Sequence, residues 1–298
     1  MARWQADWIE RVLRRAFPKD AFVQVIVKTT GDIIADKPLK RFGGRGVFTR
    51  ELDRALLEHR IDLAVHSAKD YPTDVPNDLV VAAYPCRWLA NDSLVGRHGE
   101  RLRDLPPGAL VGTGSLRRSA QIRSLRPDLR FGDIRGNIET RLRKLDGGQY
   151  GAVIIAEAAL RRLGLADRPR EVLPVTRLVP DAGQGALMVV CRRKDRRVRR
   201  MAARVNHPDA AMCVGVERAV LSGLGGGCRL PLGVHARIVG GKMRLRAVVI
   251  SPDANKKVAV RIETDAREGL RAARQAVRYL LDHGAREILD QVKSEVEP

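Results

Sequence analysis

Apolar residues recur at Trp4, Trp8, Ile9, Val12 and Leu13, the spacing of one helix face, and Pro18 stops the pattern. The segment Phe22 to Val27, rich in β-branched residues, predicts a strand. Glu51 to His59 reads as a helix. Ile61 to Val65 reads as a buried strand that runs into His66-Ser67-Ala68-Lys69-Asp70. Such alternation implies a mostly parallel α/β sheet. A second unit repeats it. Strands are predicted at Ala109 to Gly112, Arg130 to Ile134 and Ala152 to Ala156. Helices follow them to about Leu125, to Leu145 and over Ala158 to Leu163. Polar or basic residues sit just past each strand, where open α/β sheets bind ligands. Ala186 to Cys191 is an apolar strand that can return to the first unit. The last third differs. A helix over Asp209 to Leu221 precedes strands at Val234 to Val239, Lys242 to Ile250 and Val258 to Thr264. Gly240-Gly241 marks a hairpin between the first two, and a helix follows from about Arg267 to Leu281.

A chain of 298 residues has room for two or three domains. It has no run of 18 apolar residues and no secretory pattern, so the expectation is a soluble cytoplasmic protein outside any membrane. Its four cysteines, Cys86, Cys191, Cys213 and Cys228, show no paired spacing, which argues against zinc and against a disulfide framework. The charge of +20 changes the picture, because it calls for an anionic partner, either a nucleic acid or a polycarboxylate. Aromatics are only 4%, which leaves few stacking platforms for single-stranded nucleic acid. The run Arg192-Arg193-Lys194-Asp195-Arg196-Arg197 reads as a solvated helix face rather than a nucleic-acid patch.

The segment Gly225-Gly226-Gly227-Cys228-Arg229 sets one cysteine between three glycines and a basic residue. Glycines let a bulky group approach, and Arg229 favours the thiolate. Three further segments line up with it. They are Ser67-Ala68-Lys69-Asp70, Gly112-Thr113-Gly114-Ser115-Leu116-Arg117-Arg118, and Arg135-Gly136-Asn137 with Arg141. With Gly183-Gln184-Gly185-Ala186, the set resembles hydroxymethylbilane synthases, also called porphobilinogen deaminases, in order and spacing, from about Trp4 to Val292.

The resemblance implies an α/β fold of two periplasmic-binding-protein-like (type II) lobes plus a small C-terminal α+β domain. The expected boundaries are residues 1–87 with 186–204 for the first lobe, 91–180 for the second, and 208–298 for the domain carrying the cysteine. It also implies a transferase that condenses four porphobilinogen molecules into hydroxymethylbilane. The product would grow on a dipyrromethane cofactor joined by a thioether to Cys228. No nucleic acid and no membrane is involved, and the protein is expected to be a monomer. Each pyrrole ring carries two carboxylates, which arginine forks bind bidentately. Arg117, Arg118, Arg135, Arg141 and Arg162 match the family's carboxylate-binding arginines. Asp70 matches the catalytic acid, where a carboxylate beside pyrrole N–H groups can stabilise cationic species and relay protons. Ser67, Lys69, Thr113, Ser115, Asn137 and Gln184 are the expected cofactor contacts. Phe48 follows a glycine-rich segment that matches the family's mobile loop, and it is either a substrate contact or core packing.

The chain departs from the family in three places. Gly114 stands where the family has a hydroxyl residue, so one cofactor hydrogen bond is expected to be missing. Cys86 to Asp92 is unlike the usual hinge. The family's first strand, with its Arg-x-Ser loop, has no counterpart before Trp4. The expected cause is a misassigned start, so restoring upstream sequence should raise melting temperature and activity. Two alternatives follow: an impaired paralogue that binds an anionic ligand in the same cleft, and a basic nucleic-acid-binding protein.

Overall fold

The computed structural model describes residues 1–27, 49–226 and 230–296, and of residues 295 and 296 only the backbone. Phe48 and Cys228 therefore lie outside the described residues.

Helix α1 (Ala2–Ala16) buries Ile9 and Leu13 and leads to α2 (Arg50–Leu57) and the strands β1 (Leu63–Ser67) and β2 (Leu79–Ala83). The chain then crosses to a second sheet. It contains β3 (Asp92–Gly96), β4 (Leu110–Gly112), β5 (Arg130–Gly132), β6 (Ala152–Ala156) and β7 (Glu171–Val172). Helices α3 (Leu116–Arg123), α4 (Ile138–Asp146) and α5 (Glu157–Arg162) connect them. A second crossing delivers β8 (Leu187–Arg192), followed by α6 (Arg196–Ala203). Helix α7 (Pro208–Gly223) opens the third unit. It also holds β9 (Leu232–Val239), β10 (Lys242–Ile250), β11 (Lys257–Asp265), α8 (Gly269–Leu280) and α9 (Arg286–Val296).

The first sheet runs β1-β8-β2, and β8 is antiparallel to both neighbours. The expectation of a mostly parallel sheet fails here, because the returning strand β8 separates β1 from β2. Side chains alternate along β8. Met188 and Val190 pack with Leu56, Ala64 and Leu79 on one face, while Leu187 and Val189 pack with Ile9, Leu13 and Ala202 on the other. The predicted strand at Phe22 to Val27 is not formed. The Phe22 carbonyl accepts from Arg14 Nη2 at 2.7 Å, and Gln24 Nε2 donates to Asp7 at 2.8 Å. Val23 is 84% exposed and Ile26 70%. Composition favoured an extended backbone there, but no neighbouring strand pairs with it among the described residues.

The second sheet runs β5-β4-β6-β3-β7, with β4 parallel to β5 and β6. Strand β3 is antiparallel to both β6 and β7. One antiparallel strand let in from a crossing is the arrangement of a type II periplasmic-binding-protein lobe. Strand β6 (Ala-Val-Ile-Ile-Ala) is buried throughout because helices cover both faces. The third sheet, β11-β10-β9, is an antiparallel meander. Its first turn is Gly240-Gly241, with φ of +56° and +74°, a pair of values that favours glycine. Helices α7, α8 and α9 cover one face, over Val234, Met243 and Leu245.

Candidate active site

Strand β1 ends at Ser67, and the next three residues form a turn in which Asp70 N donates to the Ser67 carbonyl at 3.0 Å. The turn is pinned from the far side. Ala68 N donates to the Ala186 carbonyl at 3.0 Å. Gly183 has φ +76°, and a Cβ there would lie 3.0 Å from the Ala68 Cβ. Glycine thus permits the second crossing to lie against the turn that carries Lys69 and Asp70. Opposite, β4 ends in Thr113-Gly114-Ser115 at the start of α3, and β5 ends in Asp133 to Asn137 at the start of α4.

These ends face a cavity of about 240 Å³. It is lined by Lys69, Asp70, Gly114, Ser115, Arg118, Arg135, Arg141 and Asp181, with Leu221, Leu230 and Leu232 from the third unit. A smaller cavity of about 150 Å³ shares Lys69 and Asp70 and adds Gln5, Ser67, Arg162 and Gln184. Asp70 is exposed to this partly open space. Burial pushes its pKa above the ordinary carboxylate value, and the Lys69 charge opposes that shift. Arg141 donates through Nε to the Gly136 carbonyl at 2.9 Å. Burial, and then Arg118 and Arg135, push its pKa down. Asp133 opposes that shift, and an entering anion would further favour the Arg141 charge.

Beneath the larger cavity lies a closed network. Asp92, fully buried at the start of β3, accepts at Oδ1 from Arg118 Nε at 3.1 Å and Nη2 at 2.7 Å. Gln184 Nε2 donates to the same oxygen at 2.9 Å, and Arg117 Nη1 lies 2.9 Å from Oδ2. Burial alone would raise the pKa of Asp92, but Arg117 and Arg118 outweigh it and hold the carboxyl well below its ordinary value. Arg117 also donates to Asp181 Oδ1 at 2.9 Å and to the Val179 carbonyl at 2.8 Å. It is 1% exposed and lines neither cavity.

The residues expected from the sequence therefore divide. Lys69, Asp70, Ser115, Arg118, Arg135 and Arg141 meet in the larger cavity, and Ser67, Arg162 and Gln184 in the smaller one. Thr113 is buried, and its Oγ1 accepts from Ser115 N at 3.2 Å. Asn137 caps α4 by accepting from Thr140 N at 2.8 Å. Gly114 has a local cause: a Cβ there would lie 2.7 Å from Asp133 Oδ1. Cys228 is outside the described residues, but Leu221 and Leu230, on either side of its loop, both reach the larger cavity. The sequence reading missed Asp92, Asp181 and the pair Arg87–Glu217. Glu217 is wholly buried, 2.6 Å from Arg87 Nη1, and accepts from Gly183 N and Ala236 N at 2.7 Å each. Its signal was an acid in the middle of the apolar helix α7.

Two α/β lobes facing a cleft that gathers Lys69, Arg118, Arg135 and Arg141 around Asp70 and Asp181, with a third unit at its rim, define a two-lobed α/β protein with a basic cleft. Residues 1–200 match the family model "Porphobilinogen deaminase, dipyromethane cofactor binding domain", and residues 211–277 match "Porphobilinogen deaminase, C-terminal domain". The chain belongs to the porphobilinogen deaminase family. The porphobilinogen deaminase of Desulforudis audaxviator is 42% identical over 99% of this chain and 95% of its own length. That of Geobacter metallireducens is 42% identical over 98% of this chain and 92% of its own. Among solved structures, an ancestral cationic amino acid solute binding protein covers 67% of this chain and 76% of its own, at 13% identity and a TM-score of 0.40. No helix among the described residues is long and apolar enough to cross a membrane.

Proposed function

We propose that this protein is a hydroxymethylbilane synthase. It is a transferase that joins four porphobilinogen molecules head to tail, losing ammonia at each step, in tetrapyrrole biosynthesis. The observation that carries this reading is the setting of Asp70 among Lys69, Arg118, Arg135 and Arg141 in one cavity. Porphobilinogen brings two carboxylates and a pyrrole N–H, and this site offers both cations and a carboxylate. Arg118, Arg135 and Arg141 bind ring carboxylates. Asp70 faces the pyrrole N–H, holds the cationic ring during bond formation and returns its proton. Ser115, at the start of α3, adds a helix N-terminus that favours anions. Arg117 supports this binding from below, by fixing Asp181 and Asp92.

The matched domain description names a dipyrromethane cofactor. The lining fits such a group, because a two-ring polyacid needs the several cations that Lys69, Arg118, Arg135 and Arg141 bring to one cavity. Cys228 would hold it as a thioether, with Ser67, Lys69, Thr113, Ser115, Asn137 and Gln184 among its contacts. When bound, it supplies the primer on which the product is assembled. Arg162 faces the smaller cavity and takes a carboxylate of the incoming substrate, and Phe48 is a further substrate contact on the family resemblance alone. A cytoplasmic monomer completes the reading, on the family resemblance alone.

The intact mass of the purified protein tests it. The expected result is an increment of one dipyrromethane on the Cys228 peptide, absent from Cys228→Ser. An unmodified chain after incubation with porphobilinogen would overturn the reading. Asp70→Ala should keep the increment and turn over about 10²- to 10⁴-fold more slowly. Because burial raises the Asp70 pKa, turnover should fall on acidification at a higher pH than an ordinary carboxylate would give. A flat profile down to the usual carboxylate range would remove Asp70 from that role.

A further inference from the structure

Arg162 is 6% exposed, yet no acidic group pairs with it among the described residues. Its Nη2 donates to the Gly185 carbonyl at 2.7 Å, and its Nε has no hydrogen-bond partner. A buried guanidinium without a counter-ion is unfavourable unless something else compensates it. Here the compensation is aromatic. Its Cζ lies 5.6 Å from the Trp4 ring centre and 5.5 Å from that of Trp88, within cation–π range. The two indoles meet edge to face, with centres 5.2 Å apart and planes at 83°. They are two of the three tryptophans in the chain.

The backbone holds this group together. Trp88 N donates to the Gly185 carbonyl at 3.1 Å, so hinge and arginine share one acceptor. Gly185 has φ +83°, and a Cβ on it would lie 2.5 Å from the Trp88 carbonyl oxygen. Only glycine lets the two crossings approach this closely. Trp4 comes from α1 in the first lobe, Trp88 from the first crossing, and Arg162 from the end of α5 in the second lobe.

We propose that Trp88, with Trp4, is a positioning residue for substrate binding: the two rings hold the unpaired Arg162 guanidinium at the smaller cavity, ready for a carboxylate of porphobilinogen. The proposal rests on the reading that Arg162 takes a substrate carboxylate. Holding the fork in advance removes the cost of ordering it when the ligand arrives. Because the interaction is the same before and after the chemical step, its loss raises KM and leaves kcat in place.

Steady-state kinetics with porphobilinogen test this in cofactor-loaded protein. Trp88→Leu removes the π face and should raise KM about 5- to 30-fold, with kcat within about twofold. Trp88→Phe keeps a smaller ring and should recover much of that loss, which a role in packing alone does not require. A KM unchanged in both variants would overturn the proposal, as would a fall in kcat at constant KM. Should Trp88→Leu not fold, Trp88→Phe decides alone: a KM raised severalfold supports the proposal, and an unchanged KM overturns it. Arg162→Leu separates this proposal from the reading beneath it. A wild-type KM in Arg162→Leu would end the carboxylate role itself. A raised KM there, beside an unchanged KM in the tryptophan variants, would end only the positioning role.

Discussion

Two sets of buried arginines flank the turn that carries Lys69 and Asp70, and they are treated in opposite ways. Arg117 and Arg118 sit on Asp92 and Asp181, in a network of ion pairs made within the protein. Arg162, on the other side of Lys69 and Asp70, has two indoles and a carbonyl but no acid among the described residues. The first arrangement fixes geometry and leaves Arg117, held between two acids, little charge to spare, while Arg118 still lines the larger cavity. The second leaves a full positive charge available to a ligand. Being an arginine at a motif position therefore does not set a residue's role. What sets it is whether the fold has already supplied its anion.

Removing the anion of the network should give the largest effect. Asp92→Ala strands Arg117 and Arg118 as buried charges and should cost about 3–5 kcal/mol in urea unfolding. A loss below about 1 kcal/mol would show that water or a shifted Asp181 replaces it. The matching change in the other region, Arg162→Leu, removes a charge that has no counter-ion. Its stability should move by about 1 kcal/mol or less in either direction, so a large loss would erase the contrast.

Acid separates the regions further. Burial pushes the pKa of His66, beside Ser67, down to about 4. The folded state resists protonating it while the unfolded chain does not, so its contribution is complete above about pH 6.5 and fades as pH falls towards 4. The loss is about 3 kcal/mol. Asp92, its pKa held low by Arg117 and Arg118, stays ionised through that window and keeps the network closed. Urea unfolding of His66→Phe at pH 7 and pH 4.5 should show a smaller difference than the wild type. As the small-effect control, breaking the exposed pair Arg244–Glu263 on the third sheet should cost less than about 1 kcal/mol.

Much of this was legible in the chain. The apolar run Ala152 to Ala156 and the hairpin glycines fixed their elements closely, because a buried central strand and a tight turn each leave one solution. Asp70, Lys69 and the arginines after β4 and β5 were expected from the family resemblance, and they lie past strand ends, where open α/β sheets bind ligands. The open face of Phe22 to Val27 was not legible, since β-branched composition says nothing about whether a neighbour is there to pair. Nor was the burial of Arg117 beside the cavity-facing Arg118. Adjacent helix residues point about 100° apart, and which one meets the ligand depends on a sheet assembled from distant segments. Cys86 to Asp92 was read only as unlike the family's hinge, and nothing in it pointed to the Trp88 ring lying against Arg162.

Strand β8 has a consequence for how the protein is made. It lies between β1 and β2, yet a ribosome delivers it only after all of the second sheet. At about 5–20 residues per second, Leu63 to Ser67 wait roughly 6–25 s for the strand that pairs with them. The later-made lobe can close in that interval, while β1 and β2 of the earlier one stand apart with open edges. Birth order and completion order are thus reversed, and the nascent first lobe is the part of this chain most in need of shelter from aggregation.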